Sequence, residues 1–336
     1  MAEKHTAFLD KDSLRRYLKV PFDIERIVFT DADDERIFPS DDLIVDPGFT
    51  LAGYEGPRCA LHKGQNTAYI YTKSGKFEAA RQIPRMFADF QSLETIEGLE
   101  RIDMSHVTNM RCLFDECRSL DHLDLSSWNT SNVLDMAFLF KGCMALNDLN
   151  VKGWDTGSVK TMESLFESCS SLTSVDLNSW NTGSVSTMSY MFYRCLNLTD
   201  VHVEDIDTSH AADMFRMFSD CKSLQTTDFC SKWSTESLLD MSGMFEGCVS
   251  LRSADLSSWT VPNVIMTDHL FSGCKNLESV DFTSAIFNKQ PNMVRVFENC
   301  RKLKDITYPK DEGAEKCVQA AVRDMSIRSN FGKKTR

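Results

Sequence analysis

Residues Leu172–Cys195 read LTSVDLNSWNTGSVSTMSYMFYRC, and this stretch recurs along the chain. Cys117, Cys143, Cys169, Cys195, Cys221, Cys248, Cys274 and Cys300 fall 26 residues apart, with one gap of 27. A phenylalanine stands three residues before each of them, from Phe114 to Phe297, and a leucine three residues after each, from Leu120 to Leu303. All five tryptophans, Trp128, Trp154, Trp180, Trp233 and Trp259, occupy one position of the repeat. A fixed period of 20–50 residues marks a repeat architecture, in which each unit buries its apolar side against the next.

The repeat has two halves. The first, L-x-x-L-x-L-x-x-W, alternates as a half-buried strand does and is the leucine-rich pattern, with Trp where Asn or Cys usually stands. In the second, Val133, Met136, Leu139, Phe140 and Cys143 are spaced 3, 3, 1 and 3, which predicts one face of a short helix led in by Asn129-Thr130-Ser131-Asn132. The methionines Met110, Met136, Met162, Met188, Met214, Met241 and Met293 share that spacing. They read as core, as does the Trp column, in preference to a soft-metal site or a sugar platform. The fold class expected is α/β: a leucine-rich-repeat solenoid of about eight to nine repeats, with a parallel sheet on the concave face and short helices on the convex face.

The strings LDLSSWNTSNVLDMAFLFKGC (123–143), VDLNSWNTGSVSTMSYMFYRC (175–195) and ADLSSWTVPNVIMTDHLFSGC (254–274) resemble the BspA-type leucine-rich repeat of bacterial surface proteins. The likeness covers roughly residues 86–308, and Ile24–Lys76 resembles the lead-in segment of that family. The resemblance implies an extended scaffold that binds proteins or cell surfaces. It implies no catalytic residue. It also implies export, and here the chain departs from it: Met1–Val20 holds no apolar stretch of signal-peptide length and no segment approaches a membrane span. The expected location is therefore cytoplasmic, the alternative being a secreted or surface adhesin that recognises a host protein or glycan.

Residues 1–80 lie outside the repeat and are expected to form a small β-rich cap domain. Asp12–Lys19 reads as a helix capped by Asp12 or Ser13, and Ile24–Thr30, Leu51–Ala60 and Thr67–Thr72 read as strands. The acidic run Asp31, Asp33, Asp34, Glu35, Asp41 and Asp42 lacks the alternating ligands and glycine of a calcium loop and reads as solvated. The repeats, 81–308, open with Phe90 in the cysteine position and one inserted residue among Leu93, Ile96, Leu99 and Ile102. The copy after Cys221 carries an extra residue near Cys230, read as a bulge or loosened turn. The pattern fades where Ala285 replaces Trp and Gln290 replaces Val. Residues 309–336 should form a capping helix over Glu312–Met325, with Cys317, Ala320, Ala321 and Met325 as its apolar face, and a frayed tail of eleven residues.

At 42% apolar and 26% charged the composition is that of a folded soluble protein, and a net charge of −12 argues against nucleic acid as partner. The eight periodic cysteines read as reduced core residues. Cys59, Cys112, Cys230 and Cys317 lie off the register and are expected to be the reactive thiols. No phosphate-loop, dinucleotide, zinc-protease or nucleophile-elbow motif occurs, and no C-x-x-C. His106 and His210 read as exposed turn residues. No enzyme, metal or cofactor is expected, although an unrecognised site in residues 1–80 is kept as an alternative. The binding surface expected is the column formed by the middle residue of each L-x-L, namely Asp124, Asn150, Asp176, His202, Asp228, Asp255 and Asp281. These residues point away from the core. The uninterrupted acids Asp228, Asp255 and Asp281 suggest either a basic protein partner or cations. The bland alternative is that Asp is the default residue of the repeat, held by local hydrogen bonds.

Overall fold

The computed structural model describes residues 7–9, 18, 23–37, 43–46, 50–51, 54–55, 57–283, 285–286 and 291–331. The helix expected over Asp12–Lys19 and the residues Asp41, Asp42 and Gln290 lie outside that set, Leu18 apart. The chain divides into two compact units, Met1–Ser158 and Val159–Arg336.

The first unit opens with strands β1 (Ala7–Leu9), β2 (Arg26–Asp31), β3 (Leu43–Asp46), β4 (Thr50–Leu51), β5 (Tyr54–Glu55), β6 (Arg58–His62), β7 (Thr67–Thr72) and β8 (Phe77–Ala79). Two strands of the first repeat follow, β9 (Thr95–Glu97) and β10 (Ile102–Asp103). A mixed five-stranded sheet runs β3-β6-β7-β2-β9, and a parallel sheet runs β1-β8-β10. The strands expected at Ile24–Thr30 and Thr67–Thr72 are therefore present. Leu51–Ala60 is instead a tight β4–β5 pairing followed by β6. Every residue of β7 is buried, as a central strand covered on both faces requires. Val28, Ile37, Ala60, Tyr69 and Tyr71 form a core on this sheet. In the acidic run, the Asp34 carboxylate is taken by Arg36 and by the Thr30 hydroxyl, and the Arg36 guanidinium holds its pKa far below the usual range.

The sheet passes directly into the repeats. β9 pairs in parallel with β2, and Phe29 packs edge-on against Phe77 and Phe87, with ring centroids 5.3 and 6.2 Å away. The residue inserted in the first repeat is accommodated by Gly98 in the left-handed region (φ 77°), followed by a 3-10 turn over Leu99–Arg101. A Cβ at Gly98 would lie 2.1 Å from the Phe29 carbonyl oxygen, so only glycine fits.

Each later repeat contributes a three-residue strand. In the first unit β11 (His122–Asp124) pairs in parallel with β12 (Asp148–Asn150). In the second, β13 (Ser174–Asp176) pairs with β14 (Asp200–His202), and β15 (Ser253–Asp255), β16 (Ser279–Asp281) and β17 (Asp305–Thr307) form one parallel ladder. The leucine-rich-repeat class is thus observed.

The short convex helices are not. Where the sequence spacing predicts them the backbone makes consecutive turns, and the only α-helix among the described residues is α1, Glu312–Phe331. Residues 188–195 show the arrangement. Met191 N–H bonds the Met188 carbonyl and Cys195 N–H bonds the Phe192 carbonyl, closing turns whose third residues, Tyr190 and Arg194, have φ of 57° and 61°. Met188, Tyr190, Phe192 and Arg194 instead donate to the carbonyls of Asp213, Phe215, Met217 and Ser219 in the next repeat. An α-helix spends its amides internally, i to i−4, and has none left for a neighbour. A run this short, rich in Ser, Thr and Gly, does not repay helix nucleation. Successive four-residue turns keep the apolar side chains at the same 3-3-1-3 spacing, which is why the two structures look alike in sequence.

The core repeats with the backbone. Phe166, Phe192, Phe218, Phe245, Phe271 and Phe297 stack with ring centroids 5.2 to 6.1 Å apart. In the first unit Phe87, Phe114 and Phe140 do the same at 5.2 and 5.7 Å. The tryptophans are buried, and the indole N–H of Trp128 donates to Leu99 O at 3.0 Å, that of Trp233 to Val203 O at 2.9 Å. Six of the seven methionines are buried as well, Met293 being half-buried. The periodic thiols donate to the phenylalanine carbonyl of the preceding repeat, Cys195 to Phe166 O at 3.1 Å and Cys221 to Phe192 O at 3.1 Å. Each such carbonyl also accepts a backbone N–H, as Phe192 O does from Cys195, so the thiol adds a second bond to it while filling the core as a small hydrophobe.

Three expectations need correction. The extra residue after Cys221 forms a 3-10 turn, Asp228–Cys230, in place of a strand, with Phe229 turned inward against Phe218 and Trp233. Cys59 and Cys230 are buried, Cys230 donating to Thr227 O, so neither is a reactive thiol; only Cys112 and Cys317 are partly exposed. In α1 the buried face is Ala314, Val318 and Ala321, whereas Cys317 is half-buried and Ala320 exposed. The helix runs on to Phe331, past the expected end at Met325, and Asp311 caps it by accepting from Ala314 N–H at 2.8 Å.

Two tests follow. Burial pushes the thiols of Cys195, Cys221, Cys248 and Cys274 well above their ordinary pKa, and Cys300 up to about 12. Iodoacetamide at pH 8 should leave these five unlabelled in the native protein and modify Cys112 and Cys317 first; equal labelling of Cys195 and Cys317 by peptide mass spectrometry would contradict the packing. In urea melts Trp128→Ala should cost about 3–5 kcal/mol. Trp128→Phe should cost less, about 1 kcal/mol, because the Leu99 carbonyl loses the indole donor but keeps Ile102 N–H.

Candidate functional site

In each unit the strands carry L-x-L middle residues on one face, and together they place six of the seven expected members. Asp124 stands opposite Asn150, Asp176 opposite His202, and Asp255 opposite Asp281. Asp124, Asp176, His202 and Asp255 are exposed, while Asn150 and Asp281 are half-exposed. Asp228 does not join them. It is exposed, but it opens the 3-10 turn and has no ladder partner, so the run Asp228-Asp255-Asp281 is reduced to its last two members. The cause is the extra residue of that repeat, which spoils the two-residue alternation.

Five of the six, His202 apart, also do a local job that the sequence reading raised as the bland alternative. The Asp124 carboxylate accepts from the Ser126 N–H at 3.0 Å and from its hydroxyl at 2.6 Å. Asp176 accepts from Asn178 N–H at 3.1 Å, Asp255 from Ser257 N–H at 2.9 Å and Asp281 from Thr283 N–H at 2.8 Å. Asn150 makes the same bond, through its side-chain oxygen, to Lys152 N–H at 3.2 Å. These are Asx turns that end each strand and start the next turn. The Ser126 hydroxyl, and then its N–H, hold the Asp124 pKa below its ordinary value.

The surroundings are acidic. His202 lies 3.2 Å from Asp200 and 4.0 Å from Glu204, and His122 lies 2.8 Å from Asp148. Lys232 neutralises Asp205 at 2.9 Å. His106 and His210 are exposed, and no group of three or more His, Cys, Asp or Glu able to hold a metal occurs among the described residues. No helix among them is long and apolar enough to cross a membrane.

With this geometry the repeat finds its relatives. A family described as "Mycoplasma protein of unknown function, DUF285" matches residues 81–201 and again 188–308, and the chain belongs to that family. Among solved structures it is similar to a leucine-rich repeat protein from Bacteroides ovatus, at 17% identity and a TM-score of 0.45, covering 80% of this chain and 76% of that one. It is also similar to a leucine rich cell surface protein from Faecalibacterium prausnitzii, at 16% identity and a TM-score of 0.34, covering 84% and 98%. A T. pallidum leucine-rich repeat protein matches at 14% identity and a TM-score of 0.25, covering 84% and 95%. No curated protein matches.

The double role of the column is testable at Asp124. Asp124→Ala should cost about 1 kcal/mol by removing the turn acceptor, while Asp124→Asn should be close to neutral at pH 7. Because the folded-state pKa is depressed, the carboxylate's contribution is present above the unfolded value and is lost as pH falls through the folded one. Below about pH 4 the parent should therefore lose stability relative to Asp124→Asn. Urea melts at pH 6 and pH 3 measure both effects.

Proposed function

We propose that this chain is a non-enzymatic leucine-rich-repeat scaffold that binds a protein partner, basic in character, on the exposed strand face around Asp255 and Asp281. One observation supports the reading above the others. Asn150 makes the same turn bond with an amide that its aspartate counterparts make with a carboxylate. The local fold therefore accounts for an Asx residue at 255 and 281 but not for the charge. Two carboxylates opposed on neighbouring strands, about 4.8 Å apart, repel by about 1 kcal/mol even at the dielectric constant of water. A residue choice that costs stability in the free protein is repaid where a cationic side chain lies between the pair.

Replacing both residues by Asn separates charge from structure. Asp255→Asn/Asp281→Asn should melt in urea at the parent's midpoint or slightly above it. Affinity capture from the native cell, compared side by side, should show basic proteins retained by the parent, released by 0.5 M salt, and absent from the double variant. Identical captured sets from parent and variant would overturn the proposal, as would a binding partner unaffected by salt.

A further inference from the structure

A second charged feature lies beside the strands of the last repeats, and its sign is opposite. The residues one, two and four places after each cysteine line the edge from which the strands start. In the repeats after Cys221, Cys248, Cys274 and Cys300 these places hold Lys222, Arg252, Lys275, Arg301, Lys302 and Lys304, against the single acid Glu278. The corresponding places after Cys143, Cys169 and Cys195 hold no charged residue at all. All six cations are exposed. Only Lys304 is paired, with Glu278 at 3.1 Å; the other five make no ion pair among the described residues.

Arg252, Glu278 and Lys302 line a cavity of about 510 Å3, together with the polar side chains Gln225, Ser250 and Asn276. The backbone fixes the wall: Glu278 N–H bonds Arg252 O at 2.8 Å, and Lys304 N–H bonds Glu278 O at 3.1 Å, so consecutive repeats set their side chains at one spacing. The volume is that of a small-molecule site, and the lining is polar throughout. Lys304 pairs with Glu278 and, with smaller contributions from Lys302 and Arg252, holds its carboxyl below the ordinary pKa.

We propose that this cavity binds a small polyanion, a compound carrying two or more phosphate groups, with Arg252 and Lys302 as its two anchoring cations and Glu278 as a charge that limits the affinity. Arg252 presents a planar fork suited to phosphate oxygens, and Lys302 adds a compact charge one repeat-pair away. Cations of one sign gathered on one edge repel one another, and an anion bound among them relieves that repulsion.

The test uses tripolyphosphate and inorganic phosphate with the full chain, by titration calorimetry in 50 mM salt. Tripolyphosphate should bind saturably at one site per chain and at least tenfold more tightly than phosphate. Arg252→Gln/Lys302→Gln should weaken it at least tenfold, and Glu278→Gln should tighten it several-fold, with thermal midpoints of all three proteins within 2 °C as the folding control. The opposite signs at neighbouring positions identify the cavity. Absence of saturation, binding that survives the double variant, or weakening by Glu278→Gln would each overturn the proposal. So would tight binding of an oligonucleotide that the double variant retains.

Discussion

No repeat of this protein can satisfy its own backbone. In the turn run, alternate amides point at the carbonyls of the next repeat, as Met188, Tyr190, Phe192 and Arg194 do toward Asp213, Phe215, Met217 and Ser219. Strand amides do the same on the other side of the repeat, Leu177 to His202 and Leu256 to Asp281. Each buried amide left without its neighbour would cost about 1–3 kcal/mol, so a single repeat has no stable isolated form. The stacking of phenylalanines and the thiol-to-carbonyl bonds then follow from the spacing that these two ladders impose.

That spacing carries a conformational cost. Two residues in each turn run must enter the left-handed region, four places apart. Glycine fills the second place at Gly142, Gly247 and Gly273, but Asp89, Glu116, Ser168, Arg194, Asp220 and Asn299 fill it elsewhere, with φ between 59° and 68°. A non-glycine residue there costs about 1 kcal/mol. The repeat tolerates it because the amides on either side are engaged by the next repeat. Of the positive-φ side chains in these turns only Ser164 is buried; the others are half-buried or exposed, so surface chemistry varies most freely at these positions.

The architecture was legible because its signals are periodic and redundant: the Cys, Phe, Leu and Trp registers, and the L-x-L alternation, are each repeated too often to mislead. The turn run was misread because a train of four-residue turns and an α-helix bury the same positions. What separates them is where the amides go, and spacing carries no information about that. A signal was present, since Asn109, Asp135, Thr161, Thr187, Asp213 and Asp240 recur at one position and, from Asn109 to Arg111 N–H onward, cap the run from its side chains. The loss of Asp228 from the column was legible in part. The extra residue was seen, but whether it makes a bulge or a 3-10 turn depends on Phe229 finding room against Phe218. The basic edge was missed because charge was counted over the whole chain, where −12 conceals it.

The two charged features of the second unit are best understood together. The strands expose acids at Asp255 and Asp281, and the edge where the same strands begin exposes Arg252, Lys302 and Lys304. Glu278, one repeat position before the strand that holds Asp281, is the only acid on that edge, and it is paired to Lys304. The fold does not require this separation. The strand acids need an Asx acceptor for their turns but not its charge, and the edge cations are exposed and lie outside the core. Random surface variation around a net negative charge would mix the signs, and mixed signs would stabilise the free protein through short-range pairs. The repeats after Cys221 instead keep like charges adjacent on both sides of the strand, and of these residues only Lys304 is neutralised, by Glu278. The two proposed sites therefore lie side by side in the last repeats, where patches of opposite sign suit ligands of opposite charge.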